Sequence, residues 1–244
     1  LSEEQNRLYR ELLQKRRHHL IETLQDGEQP VPYMHIFVVL SSLKQICNHP
    51  ALYLKKPALY KEHQSGKWQL FVELLREALQ SNQKVVVFSQ YLHMLDIIEN
   101  YLNEQQIQYA TIRGSTKNRS KQLDFFNQEP ACKVFVASLQ AAGLGIDLTA
   151  ASVVIHYDRW WNAARENQAT DRVYRIGQTK GVQVFKLVTR GTFEEKIDQM
   201  IEQKSKLMEG IVSSDDQHAL KKFTRQELMS LLEFSQDVQQ IEES

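Results

Sequence analysis

The sequence predicts an α/β fold: a mostly parallel sheet covered by helices, with helical appendages at its N- and C-terminal ends. Three observations lead there. Short apolar runs without alternation, such as Val85-Val86-Val87-Phe88 and Lys133-Val134-Phe135-Val136-Ala137, have the character of strands buried on both faces. Segments of helical period lie between these runs. The stretches before residue 67 and after residue 190 carry helical period with no strand pattern, so helices flank the α/β part.

Taken in order, Ser2 with Gln5 has the form of a capping box. Leu8, Leu12, Leu13, Leu20, Ile21 and Leu24 then recur at helical spacing, which predicts a helix over 3–24. Asp26-Gly27 and Pro30-Val31-Pro32 end it. A second helix is expected over 33–47, stopped at Asn48-His49-Pro50 because the residue before proline is pushed out of the α region. Residues 51–65 read as a loop. From Lys67 onward helices at 67–80, 91–104, 116–127 and 163–174 alternate with strands at 85–88, 109–112, 133–137, 152–155 and 182–188. Thr192 with Glu195, and Thr224 with Glu227, form two more candidate capping boxes that open helices. The expected division is 1–66, a helical lead-in; 67–190, the α/β domain; and 191–244, a helical extension.

Composition narrows the function classes. Of 244 residues 42% are apolar and 25% charged, ordinary globular usage that excludes disordered and fibrous chains. No apolar run approaches the roughly 18 residues of a membrane helix. The start, Leu1-Ser2-Glu3-Glu4, has no initiator Met and no secretion signal, and it lies inside a helical pattern, so the chain reads as a fragment. Two cysteines, Cys47 and Cys132, in unlike contexts suggest neither a disulfide framework nor a zinc site, and a reducing compartment is expected. The formal charge of zero is unevenly spread. Residues 113–190 hold 12 Lys and Arg against 6 Asp and Glu, whereas 201–244 hold 5 against 9. The basic middle suits a polyanion such as nucleic acid or nucleotide phosphate; a solvated face is the alternative.

Parallel α/β sheets bind ligands at the carboxyl ends of their strands. Three stretches fall there: Ser89-Gln90, Ser138 to Asp147, and Asp158 to Arg165. Ala142-Gly143-Leu144-Gly145-Ile146-Asp147 follows a strand, and glycines let backbone N–H groups approach a phosphate. A plain tight turn is the other reading, and the third glycine of a dinucleotide fingerprint is missing. Gln168, Arg172 and Arg175 stand at offsets 0, +4 and +7, one face of the expected helix. Two guanidiniums beside an amide suit a phosphate that gains charge during transfer; an Arg–Asp surface pair with Asp171 is the structural alternative. Trp160-Trp161 offers either core packing or a ring for stacking on bases.

Some chemistry is missing. No Gly-x-x-x-x-Gly-Lys-Ser/Thr loop is present, and Ser65-Gly66-Lys67-Trp68 lacks its first glycine and its final hydroxyl. Asp215-Asp216-Gln217-His218 resembles an acidic metal box but follows Ser213-Ser214 rather than a strand, so it reads as a loop. His49, His93 and His156 have no metal-ligand spacing, and no nucleophile–base pair stands out.

The stretch Glu166-Asn167-Gln168-Ala169-Thr170-Asp171-Arg172-Val173-Tyr174-Arg175-Ile176-Gly177-Gln178 resembles motif VI of the Swi/Snf-type DNA translocases, ATPases of helicase superfamily two. Other blocks are similar to theirs in the same order. These are Gln45-Ile46-Cys47-Asn48-His49-Pro50, Lys84 to Gln90 (motif IV), Gly114-Ser115-Thr116, Ser138 to Thr149 (motif V), Trp161-Asn162, and Gly191-Thr192-Phe193-Glu194-Glu195-Lys196-Ile197. The similarity runs from Leu1 to at least Met208, and the short spacers look more like bacterial and archaeal members than the large eukaryotic remodellers. Ala163, Tyr174 and Asp147 depart from the usual Pro, His and Asn.

The resemblance implies a RecA-like C-terminal lobe: a parallel sheet covered by helices, with a bracing helix after residue 191. It implies that Arg172 and Arg175 act as arginine fingers on ATP held by a separate N-terminal lobe. Gln168, Gly143, Gly145 and Asp147 would line that cleft, and Gly114, Ser115, Thr116, Ser138 and Trp161 would contact double-stranded DNA. ATP and Mg²⁺ would serve the intact parent, and this chain alone would be inactive. The parent would be cytoplasmic and nucleoid-associated if bacterial, nuclear if eukaryotic. Two alternatives stand beside this, an RNA-helicase lobe and a non-catalytic nucleic-acid or protein interaction module.

Overall fold

Residues 85–89 read Val-Val-Val-Phe-Ser, and every one is buried. A run of β-branched residues with no polar alternation is stable only as a central strand covered on both faces. The computed structural model, which describes residues 1–26, 28–142, 145–159, 163–174, 181–208 and 220–233, has this run as strand β1 (Val85–Ser89). It lies at the centre of a five-stranded sheet with β2 (Tyr109–Ile112), β3 (Val134–Ser138), β4 (Val153–His156) and β5 (Gln183–Lys186), in the order β2-β3-β1-β4-β5. All four pairings are parallel. The sheet is the RecA-like α/β arrangement expected, with β5 shorter than the predicted 182–188 and largely exposed at its edge.

Two compact units make up the chain: Trp68–Leu187, and Leu1–Lys67 together with Val188–Ser244. In the first, helices α4 (Gly66–Gln80), α5 (Leu92–Glu104) and α6 (Arg119–Gln128) cover the sheet, and two shorter ones, α7 (Leu139–Ala142) and α8 (Ala163–Thr170), follow β3 and β4. Phe71 and Leu75 of α4, Met94, Leu95, Ile97 and Ile98 of α5, and Phe126 of α6 are wholly buried. Each such side chain contributes about 1.5–3 kcal/mol by leaving water. Phe71 meets Tyr157 edge-on at 5.4 Å, and Phe126 lies 5.2 Å from Phe135. Helix α6 begins three residues later than predicted. Thr116 closes a turn instead, its N–H donating to Arg113 O and its Oγ1 accepting the Arg113 N–H at 2.9 Å.

The second unit is built on α1 (Glu3–Gln25) and α2 (Tyr33–Asn48), which pack together through Tyr9, Leu13 and Leu24 on one and Ile36, Leu40 and Leu43 on the other. The Ser2–Gln5 capping box is present. Gln5 also serves the end of α2, where its Nε2 donates to the open carbonyls Ile46 O and Cys47 O. The predicted loop 51–65 contains a four-residue helix, α3 (Pro50–Tyr53), and a 3-10 segment (Pro57–Glu62). His49 caps α3, its Nδ1 accepting the Ala51 N–H. Helix α9 (Phe193–Met208) and a last helix, α10 (Arg225–Leu231), complete this unit, α10 through its Thr224–Glu227 box. The expected box at Thr192 is shifted by one residue: Thr192 Oγ1 accepts from Glu194 N, and Glu195 accepts from Gly191 N.

Glu194 has another partner. Its carboxylate takes the ammonium of Lys67 at 2.7 and 2.8 Å and the Thr189 N–H at 2.9 Å, while Lys67 also donates to Asn48 Oδ1. Tyr9 accepts the Phe193 N–H with its hydroxyl, and burial pushes both the Tyr9 phenol and the Cys47 thiol upward in pKa. Thus the Lys of Ser65-Gly66-Lys67-Trp68 is a buried structural cation, and the Cys47-Asn48-His49-Pro50 and Gly191 to Glu195 blocks meet around it.

Candidate functional site

Chain connectivity sets where a site forms. The link from β1 leads to β2 on one side of the sheet, and the link from β3 leads to β4 on the other. Neighbouring strands whose connections diverge leave a crevice at their carboxyl ends. Here those ends are Ser89 and Ser138, directly paired across β1 and β3. The segments after β2, β4 and β5 reach the same edge, because all five strands point one way. The three stretches singled out in the sequence are therefore gathered by topology alone.

Each is tied down by polar groups. Asp158, fully buried after β4, accepts the hydroxyl of Ser89 and the N–H of Gln90. Ser138 is buried, and its Oγ accepts the Ala141 N–H at 3.3 Å, which starts the four-residue helix α7. Gly145 is exposed with φ +72°, a backbone region that disfavours any side chain. Asp147 turns its Oδ1 back to Thr149, accepting both N–H and Oγ1, while its C=O accepts from Asn127. It is half-buried and closes a local Asx turn.

After β2, Gly114 and Ser115 are exposed, and the space around Gly114 is open. Arg119 donates to Gly114 O and Thr116 O, so these two carbonyls of the turn already have a donor. Thr116 Oγ1 accepts from Arg113 N, which leaves its O–H available as a donor. Such a turn offers a phosphate donors rather than acceptors.

The motif VI segment departs from its expected shape. Helix α8 is four residues shorter than predicted. Thr170 O accepts the N–H groups of both Val173 and Tyr174, and Arg172 N bonds Ala169 O, a tightening that ends the helix. Gln168 is exposed on α8, whereas Arg172 lies in the turn beyond it. The Arg172 C=O accepts the Leu148 N–H at 3.0 Å, which joins this turn to the Gly145–Asp147 loop. The Arg172 Nε is buried and, among the described residues, has no hydrogen-bond partner. Among the described residues no ion pair joins Arg172 to Asp171 or to another acid. Gly143, Trp161 and Arg175 lie outside the described residues.

Sequence reasoning missed the groups that seat α8. Glu166 is fully buried, its Oε2 3.5 Å from Arg159 Nη1 and 3.3 Å from Lys186 Nζ. His156, at the end of β4, contacts Thr170 Oγ1 through Nε2 at 2.9 Å and stacks on Phe88. Burial, with Lys186 and Arg159 nearby, pushes the His156 pKa down to about 3, so the ring is neutral. The available signal was an acid and a threonine four residues apart on a helix otherwise poor in apolar residues. Among the described residues no group of three His, Cys, Asp or Glu side chains could hold a metal ion, and no helix is long and apolar enough to cross a membrane.

Comparison with known proteins places this edge in context. Residues 66–177 match the family model described as helicase conserved C-terminal domain. YwqA of Bacillus subtilis, whose name describes an ATP-dependent helicase/translocase, is 39% identical over 243 residues, 98% of this chain and 26% of that protein. The Sulfolobus solfataricus SWI2/SNF2 ATPase core in complex with dsDNA superposes with a TM-score of 0.76 at 36% identity, covering 96% of this chain and 48% of that one. The C-terminal domain of a Sulfolobus solfataricus SWI2/SNF2 ATPase gives 0.73 at 33% identity, covering 96% and 95%. The chain spans about a quarter of the first of these relatives and about half of the second.

Proposed function

We infer a motor role from one premise: this chain belongs to the SWI2/SNF2 ATPase family and is its helicase C-terminal domain. It acts as the second lobe of an ATP-dependent translocase on double-stranded DNA. A first lobe in the parent protein holds ATP and Mg²⁺, and this lobe closes on them. Arg172 and Arg175 then neutralise charge that builds on the transferring phosphoryl group, a contribution on the order of 10³–10⁵ in rate. Gln168, Gly143, Gly145 and Asp147 line the same cleft. Gly114, Ser115, Thr116, Ser138 and Trp161 grip DNA by its backbone, so successive closures advance the protein along the duplex.

The observation that carries this reading is Arg172. A half-buried guanidinium with a desolvated, unpartnered Nε is costly, roughly 1–3 kcal/mol, unless an acceptor arrives. A phosphate presented from across a cleft is such an acceptor, and the residues therefore fit the anion. Duplex DNA as the track is supported by the similar archaeal SWI2/SNF2 ATPase core, which was solved in complex with dsDNA.

In the full-length parent, Arg172→Ala is expected to abolish DNA-stimulated ATP hydrolysis while DNA affinity stays within about threefold. Undiminished turnover would remove the assignment. Stronger stimulation by RNA than by duplex DNA would favour an RNA-helicase lobe instead.

A further inference from the structure

Helix α8 carries the approach to Arg172, yet it has almost no apolar grip. Among its described side chains only Glu166 and Ala169 are buried. One buried methyl supplies about 0.8 kcal/mol and no directionality. What seats the helix is polar: Glu166 between Arg159 and Lys186, and Thr170 against His156. Hydrogen bonds weaken steeply with displacement and angle, so the Thr170–His156 contact fixes position in a way apolar contact does not, while the flanking cations hold Glu166 by charge.

The path from that seat to Arg172 is short. Thr170 is two residues away, and its C=O closes the turn by accepting from Val173 and Tyr174. Val173 is fully buried beyond the turn, and Leu148 holds the Arg172 C=O. The arginine backbone is thus pinned on three sides. At the end of α8 the Thr170 hydroxyl meets the His156 imidazole at 2.9 Å, on a histidine whose ring is kept neutral by burial.

We propose that His156, Thr170 and Glu166 are positioning residues that set the register of helix α8 and so aim the guanidinium of Arg172 at its phosphate. This rests on the arginine-finger reading above. A misplacement of about 1 Å in such a group lowers turnover by up to about a hundredfold, while substrate binding is largely kept.

The test uses the full-length parent at a temperature where every variant is folded by circular dichroism. Thr170→Val keeps shape and removes only the hydroxyl; Thr170→Ser keeps the hydroxyl. The expected result is a fall of about tenfold or more in DNA-stimulated kcat for Thr170→Val, with KM for ATP and DNA affinity within about twofold. Thr170→Ser should restore most of the rate. His156→Gln should match Thr170→Val, and the double variant should be no worse than either single one. Wild-type kcat in Thr170→Val, or a double variant whose losses multiply, overturns the positioning role. Arg172→Ala is measured alongside. If it abolishes turnover while Thr170→Val does not, the positioning role fails and the arginine finger stands; if it retains turnover, both fall.

Discussion

Lys67 Nζ lies 2.7 Å from Glu194 Oε2, and the two side chains are only 2% and 1% exposed. They stand 127 residues apart in sequence, so the pair joins the two stretches, Leu1–Lys67 and Val188–Ser244, that make up their compact unit. Removing one partner strands a buried charge, which costs about 3–5 kcal/mol; replacing both with apolar side chains costs far less. Glu194→Leu and Lys67→Met should each lower the urea midpoint of the purified chain strongly. The double variant should be more stable than either single one. Losses that simply add would mean that the two groups do not depend on each other.

His156 gives the chain a built-in acid sensitivity. Its folded pKa is about 3, against an ordinary value near 6.5. The unfolded chain therefore takes up a proton on this ring at pH values where the folded one does not. Stability is fully present above about pH 6.5 and is lost as pH falls toward 3, at up to about 1.4 kcal/mol per unit. Arg159 and Lys186 oppose protonation and add to the effect of burial. His49, held near 4 chiefly by burial, acts in the same direction. Unfolding free energies at pH 7 and pH 5 should differ less for His156→Gln than for the unaltered chain. An unchanged pH slope would place the sensitivity elsewhere.

The uneven legibility of this fold has a physical basis. The strands were readable because Val85 to Phe88 and Val134 to Ala137 announce burial on both faces. The caps at Ser2 and Thr224 were readable because a capping box is local. The end of α8 was not, because it is set by a long-range bond from Leu148 to Arg172, and a helical period continues through the sequence regardless. Lys67 is paired with Glu194, and nothing local in the sequence points to that partner. The same holds for Asp158, whose partners Ser89 and Gln90 lie almost 70 residues earlier. The motif blocks located the edge of the sheet; the side chains that fix each block became visible only with tertiary structure.

Ser115 offers a clean probe of the proposed DNA grip. It is exposed in the turn after β2, whose conformation is held by Thr116 and Arg119 instead. Ser115→Ala in the parent should weaken duplex binding by a few-fold, the worth of one hydrogen bond of about 1 kcal/mol. The loss should be equal for unrelated sequences, since phosphates carry no base information. A hydroxyl releases no counterion, so the slope of log affinity against log salt should not change. A loss confined to one DNA sequence would contradict a backbone contact.

Charge and shape can be separated at Arg172. Arg172→Lys keeps the positive charge but replaces a planar fork by a single ammonium. If the buried Nε is one of the donors that meets phosphate, lysine cannot supply it from the same backbone turn, and turnover in the parent should stay near that of Arg172→Ala. Arg175→Ala and Arg175→Lys should behave alike if the second arginine shares that role. The chain of 244 residues by itself should hydrolyse no ATP, because its sequence has no phosphate loop to hold the nucleotide for either arginine. Turnover by the purified chain would break that dependence. Strong recovery in Arg172→Lys would mean that net charge, and not the geometry fixed by Thr170 and Leu148, is what the phosphate senses.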